Sequence, residues 1–198
     1  MYFLDYSVVN FIQNIDQELF FFINNNLHFG FLNSIMPYWR SMWFWLPLYI
    51  FFGGFIVLNF RKKALVFLLI LASTVAISDS FSSQIIKKNV QRIRPCNVES
   101  WKGKVKLLVH CGSGYSFTSS HAANHFAVAN FLIFTIFQRK KLLKWSLIFW
   151  AFSIAFGQVY VGVHYPLDVI FGGILGSMIG YGAAFFYRKY FNEKMIVL

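Results

Sequence analysis

The chain has 198 residues, of which 58% are hydrophobic, 21% aromatic and only 13% charged. A soluble domain is about half apolar and about a quarter charged, so this composition excludes both an ordinary soluble domain and a disordered chain. It predicts an integral membrane protein, and the net charge of +11 then fits cytoplasmic loops or an anionic lipid rather than a nucleic-acid partner.

One domain is expected over residues 1–198, because several spans of about 20 residues use most of that length. No basic n-region or small-residue cleavage site is visible in the first residues, so the first span is expected to serve as its own insertion signal. Residues 1–42 read as an interfacial segment. Between 6 and 38, Phe and Leu are mixed with Asn14, Asp16, Gln17, Glu18, Asn24, Asn25, Asn26 and His28, which is too polar to cross hydrocarbon. Phe11, Ile15, Leu19, Phe22 and Ile23 recur at helical spacing and predict an amphipathic helix lying in the interface. Pro37 and the cluster Trp39, Trp43 and Trp45 look like an aromatic belt at the start of the first span.

Residues 43–187 then predict an all-α bundle of about five transmembrane helices, over 43–60, 64–86, 119–137, 143–163 and 167–187. Each has about 18–23 residues, about 27–35 Å at the helical rise, enough to cross. Gly172, Gly173, Gly176, Gly180 and Gly182 in the last span favour close helix approach. Ten of the 18 Lys and Arg residues flank short turns, around 61–63, 139–144 and 188–194, and eight lie on the other face, most of them in the long loop 87–118. The positive-inside rule is strongest for short loops, so the short turns are predicted cytoplasmic and the long loop and N-terminus external. Cys96 and Cys111 share that loop. An oxidising compartment would join them in a disulfide, the alternative being two free thiols.

Three polar clusters interrupt this apolar background, and the predicted topology brings all three to one membrane face. Lys87 is followed after six residues by Arg94-Pro95; Ser116 to His121 opens the third span; and Gly157-Gln158 leads through His164 to Asp168. Lys87 and Arg94 are fixed cations suited to phosphate oxygens, the arginine through its bidentate fork. Ser119 opens a helix whose N-terminus favours an anion. His164 and Asp168 are four apart, so the carboxylate can hold one ring nitrogen and make the other more nucleophilic. His121 would be a second imidazole, placed to protonate a leaving alkoxide. These parts suggest phosphoryl transfer with no cofactor and no metal.

Together the clusters resemble the three motifs of the type 2 phosphatidic acid phosphatase superfamily: lysine, six residues, Arg-Pro; Pro-Ser-Gly-His; and Ser-Arg, five residues, His, three residues, Asp. The match runs from Lys87 to Asp168. The resemblance implies a helical membrane hydrolase of lipid metabolism that dephosphorylates lipid phosphates or pyrophosphates through a phosphohistidine on His164. It assigns Asp168 as orienter, His121 as acid, and Lys87, Arg94 and Ser119 as phosphate ligands. Candidate substrates are a polyprenyl diphosphate, phosphatidylglycerol phosphate, phosphatidate or a lipid A-type glycolipid, met in a bacterial inner (plasma) membrane from the periplasmic side. A phosphotransferase of the same fold and a non-catalytic lipid-phosphate binder or transporter remain alternatives. No oligomeric state is read from the sequence.

Two departures stand out. Thr118-Ser119-Ser120-His121 replaces Pro-Ser-Gly-His, keeping the serine and histidine, and Gly157-Gln158 stands where the family has Ser-Arg. Gln158 is still expected to donate one hydrogen bond to phosphate, without a charge. Losing a charge-assisted contact costs a few kcal/mol, roughly 10²-fold in rate unless it is replaced. Lys88, Arg92 and the lysines at 102, 104 and 106 are the candidates to replace it. Asp79, inside the second span, is expected to support the site by pairing with a buried cation. His121 and His125 have a metal-compatible spacing but no third ligand nearby, so packing is the expected role of His125. His28 and His110 are expected to be ordinary interfacial polar residues.

Overall fold

In the computed structural model, which describes residues 6–60 and 62–191, alternating apolar runs and polar breaks become seven helices and no strand among the described residues. The first, α1 (Tyr6–Phe21), ends in a π-helical turn, Phe22–Asn26, and α2 is Gly30–Trp39. After α3 (Met42–Phe60), α4 (Lys62–Ser80) runs through a π-helical stretch, Phe81–Ile86, into Lys87–Val90. The bundle is completed by α5 (Ser120–Thr135), α6 (Lys141–Tyr160) and α7 (Pro166–Phe191). Arg61, Glu193 and Lys194, which enter the charge comparison of the two faces, lie outside the described residues.

Among the described residues four helices are long and apolar enough to cross a membrane: α3, the continuous helix Lys63–Val90, α6 and α7. The predicted third span is α5, and it is shorter than expected, at 16 residues. That is about 24 Å, against a hydrocarbon core of about 30 Å. Its surroundings explain the difference. Helix α5 packs against α4, α6 and α7, and Ala122, Ala123, Ala127, Ala129 and Phe131 are fully buried. A helix enclosed by others does not have to match the bilayer along its own length. The outer helices do face lipid, and Phe51, Leu58, Leu65, Leu142, Trp145 and Met178 are exposed.

The tightest packing joins α5 to α7. A Cβ on Gly172, Gly176 or Gly180 would run into the carbonyl oxygens of Ser119, Ala123 and Ala127 respectively, so backbone meets backbone along three turns. This contact also sets the distance between Ser119 and Asp168, which begin the two helices. Gly176→Ala is therefore expected to lower the thermal midpoint in detergent by about 5 °C or more, from an overpacking cost of about 1–3 kcal/mol. Gly182, with open space around it, is the control: Gly182→Ala should leave the midpoint unchanged, and equal effects at the two sites would contradict the packing argument.

The bundle is anchored at one end by an apolar cluster of Ile56, Phe67, Phe131, Ile136 and Tyr187. Polar groups occupy the other end, where α5 and α7 begin and α6 finishes. The N-terminal segment is two helices rather than one, and most of its predicted apolar stripe is exposed: Phe11, Ile15, Leu19 and Phe22 are open, while Ile23 is half-buried and packs against the cluster of Phe20, Val159 and Tyr165. The opposite face, Asp16, Phe20 and Asn24 at i, i+4 and i+8, is completely buried against the polar end. Asn24 donates from Nδ2 to the carbonyls of Lys106 (2.9 Å) and Tyr160 (3.0 Å) and accepts from the Lys106 amide (2.8 Å). The segment is thus a wall of the polar end and not only a surface anchor. Of the predicted tryptophan belt, Trp43 is exposed, while Trp39 and Trp45 turn inward: Trp39 Nε1 donates to Ser153 Oγ at 2.9 Å and Trp45 Nε1 to the Trp39 carbonyl at 2.7 Å.

Candidate active site

Helix α6 stops in a tight turn at Gly162, where φ is +88° and a Cβ would lie 3.0 Å from the Lys106 carbonyl. Both the strain and the crowding require glycine there. The amides of Val163 (3.2 Å) and His164 (3.3 Å) donate back to the Gln158 carbonyl, fixing His164 just ahead of α7. Asp168 lies in the first turn of α7.

His164 and Asp168 meet as their spacing predicts. Nδ1 of His164 lies 3.3 Å from Oδ2 of Asp168, which also accepts the Tyr165 amide at 2.9 Å. On the other side of the ring, Arg94 Nη1 donates to His164 Nε2 at 3.2 Å and to the Val163 carbonyl at 3.2 Å. A guanidinium can only donate, so Nε2 carries the lone pair and Nδ1 the proton that Asp168 accepts. Burial, outweighing the Asp168 hydrogen bond, lowers the His164 pKa to about 4, and the imidazole is neutral at physiological pH. Its Nε2 lone pair is what an attack on phosphorus requires.

Asp168 is wholly buried and fully partnered. Its Oδ1 accepts from Arg92 Nη1 at 2.8 Å, while Arg92 Nη2 reaches Asp16 on α1 at 2.5 Å. Asp16 in turn accepts the Leu167 amide at 2.8 Å, and the Arg92 guanidinium lies 3.7 Å over the Tyr165 ring. Arg92 is therefore committed to two carboxylates and is not a replacement for the missing arginine at 158. Lys102 pairs with Glu99 at 2.7 Å and Lys106 Nζ with the Asn25 carbonyl at 3.0 Å, which commits two of the loop lysines as well.

The second cluster is tied to the third by the Ser119 amide, which donates to the Asp168 carbonyl at 2.9 Å. Ser119 Oγ accepts the Ala122 amide at 3.4 Å and so caps α5; its own proton remains available. The first cluster is tied in through Ser116, whose amide donates to the Arg92 carbonyl at 2.8 Å, and through Arg94 Nε, which donates to the Gly114 carbonyl at 2.8 Å. Cys96 and Cys111 are joined in a disulfide, closing the loop that carries Gly112 and Gly114 back towards Arg94. Lys87, on the last turn of the long helix, lies within electrostatic reach of Arg94 and Asp168.

His121 is in the first turn of α5, within the fields of Arg40, His164 and Lys87. Its neighbour His125 is a packing residue: Nδ1 lies 2.7 Å from the His121 carbonyl and Nε2 3.3 Å from the Tyr49 hydroxyl. His28 likewise stacks on Tyr160 at 4.6 Å. Asp79 acts on Lys87 through its field. It is exposed, it accepts from Asn124 Nδ2 at 3.1 Å, and among the described residues it forms no salt bridge. That amide partner comes from α5. Gln158 is fully buried, and its Oε1 accepts from Arg40 Nε at 3.0 Å.

Asp16 and Arg40 are neighbours of these groups that spacing did not reveal, and Arg92 meets two carboxylates where a phosphate contact was expected. The available signal for Asp16 was its helical register with Phe20 and Asn24, a polar-flanked face opposite the apolar stripe.

Known proteins share this chain's sequence and fold. A lipid A 4'-phosphatase of Bacteroides thetaiotaomicron is 32% identical over 183 residues, 91% of this chain and 79% of that protein. The crystal structure of Aquifex aeolicus LpxE superposes with a TM-score of 0.64 at 28% identity, covering 85% of this chain and 94% of that one. The Bacillus subtilis PAP2-type phosphatidylglycerolphosphate phosphatase shares the fold, with a TM-score of 0.68 at 24% identity over 93% and 90% of the two chains. The PAP2 superfamily profile matches residues 63–194, which take in all three polar clusters and every span after the first. The chain is a multi-pass membrane lipid phosphatase and belongs to the PAP2 superfamily.

Proposed function

We propose that the protein hydrolyses a phosphate monoester on a lipid A-type glycolipid by way of a phosphohistidine on His164. The observation that carries this reading is the His164 ring, held at Nδ1 by Asp168 and presenting the Nε2 lone pair beside Arg94. The substrate class follows the activity of the Bacteroides relative.

In the resting site Arg94 occupies the place of the electrophile. An incoming phosphate takes over its Nη1 donor, which frees Nε2 to attack in line. The N–P bond forms as the bond from phosphorus to the lipid oxygen breaks, and His121, which takes up a proton once the substrate dianion brings negative charge beside it, gives that oxygen the proton. Lys87, Arg94, the Ser119 hydroxyl and Gln158 Nε2 hold the phosphoryl oxygens while charge builds on them. Water then adds to phosphorus and the N–P bond breaks. His121 accepts the water proton, and Asp168 keeps the ring oriented through both steps. These side chains supply the nucleophile, acid and counter-charges that phosphoryl transfer needs without a metal.

The site faces the periplasm, with the protein in the inner membrane. The support is charge placement: Arg139, Lys140 and Lys141 lie at the opposite ends of α5 and α6 from Ser119 and Gln158, where short basic turns mark the cytoplasmic side.

The test is phosphate release by the purified protein in detergent, with chelator present, from a lipid A-type 4'-monophosphate, its 1-phosphate, phosphatidylglycerol phosphate and a polyprenyl diphosphate. Chelator-resistant release, greatest from the glycolipid monophosphate, is expected. Preference for the diphosphate would remove the substrate assignment, and loss of activity on chelation would remove the mechanism.

A further inference from the structure

Gly157-Gln158 leaves the third motif without its arginine, yet the space beside it holds one. Arg40 sits in the turn between α2 and α3, 118 residues away in sequence from Gln158, and its Nε donates to Gln158 Oε1 at 3.0 Å. The two segments pack directly here: a Cβ on Gly157 would lie in ordinary van der Waals contact with Arg40 Cβ at 3.5 Å and Met36 Sδ at 3.6 Å.

Three further observations say what this arginine faces. Arg40 has no carboxylate partner among the described residues, although it is largely enclosed; burial first, and then the charge of Arg94, lower its pKa to about 10, so it remains charged at neutral pH. Its field reaches His121, which places it at the same end of the bundle as the dyad. Finally, the Arg40 bond fixes which end of the Gln158 amide is oxygen, and the buried Nε2 at the other end has no hydrogen-bond partner. Buried amide donors are rarely left unpaired, and an unexplained one marks a missing acceptor.

We infer that Arg40, held by Gln158 Oε1, supplies the phosphate-binding guanidinium of this site from the N-terminal segment, with Gln158 Nε2 as a second donor to the same phosphoryl group. Arg40, Lys87 and Arg94 then surround the phosphate with three cations, the charge suited to a monoester dianion. The inference rests on the phosphatase reading above, and it makes the N-terminal helices part of the chemistry. An arginine moved in sequence but not in space explains how the motif keeps function after losing its cation.

The experiment combines activity with binding of orthovanadate, a phosphate mimic that needs no turnover. Arg40→Ala is expected to lower kcat/KM about 10²-fold and to weaken vanadate inhibition by a similar factor, with the thermal midpoint unchanged. Arg40→Lys should recover part of both, because the charge returns without the fork. Gln158→Arg alone should reduce activity, since two guanidinia then compete for one place. In the Arg40→Ala/Gln158→Arg double variant the second arginine should restore kcat/KM to within about 10-fold of wild type, a coupling that independent sites do not show. Arg40→Ala activity and vanadate affinity within twofold of wild type would overturn the inference, as would a double variant no better than Arg40→Ala. The two readings fail separately. If wild type releases no phosphate but binds vanadate in an Arg40-dependent way, the phosphatase mechanism falls and the Arg40 site stands. If wild type is active and Arg40→Ala is too, only the Arg40 site falls.

Discussion

Replacing His164 with alanine is expected to reduce phosphate release about 10⁴-fold or more, the scale on which enzymes lose a nucleophile or its base. No other described side chain can take its place: His121 is on α5 without a carboxylate beside its ring, and His125 has both nitrogens occupied within hydrogen-bonding distance. The loss should fall on kcat, with vanadate affinity largely kept, because the cations that bind the anion remain. Wild-type protein quenched in alkali during turnover should carry one phosphoryl group on the peptide containing His164; its absence at substrate saturation would argue for direct attack by water.

The same imidazole links stability to pH with a definite sign. Its ordinary pKa is 6.5, and burial lowers it to about 4 in the folded protein. Above pH 6.5 neither state binds the proton, so the group has no effect. As pH falls from 6.5 towards 4, the unfolded chain binds a proton that the folded site refuses, and stability is lost. The thermal midpoint of wild type should therefore fall more steeply through that window than that of His164→Gln. Equal slopes would mean that the imidazole is protonated as readily in the folded site as in the unfolded chain.

Arg92→Ala should be nearly as damaging, for a different reason. Arg92 bridges two buried carboxylates, Asp16 and Asp168, at 2.5 and 2.8 Å. Removing it leaves Asp16 with a backbone amide, and Asp168 with a backbone amide, the imidazole and only the more distant fields of Arg94 and Lys87. Breaking a buried pair in this way costs about 3–5 kcal/mol. One carboxylate is then driven to take up a proton, and Asp168 protonated no longer holds His164 in the required tautomer. We expect kcat to fall about 10²-fold or more with KM little changed, since both Nη atoms point at carboxylates and neither at substrate. Arg92→Lys should regain stability more than activity, because an ammonium supplies charge without spanning both acids. A rise in KM with kcat intact would instead make Arg92 a phosphate ligand.

Several parts of this protein were readable directly from its chain. Membrane class, the long apolar helices, the close glycine contact, the Cys96–Cys111 bridge and the His164–Asp168 pair follow from rules that act over a few residues or a few turns: hydropathy, helical register and chain proximity. The end of α5 was less readable, because an apolar run continues to Phe137 while the helix stops at Thr135, and hydropathy does not mark where an enclosed helix ends. For Asp79, polarity within a span announced a partner without naming it: the amide of Asn124, with Lys87 in reach of its charge. The alliances of Arg92 with Asp16 and of Arg40 with Gln158 were out of reach, as they join positions 76 and 118 residues apart. Which cation meets which acid, and which meets none, depends on how seven helices close around a common polar end. That closure placed Arg92 between two carboxylates and Arg40 against Gln158, with no acid of its own among the described residues.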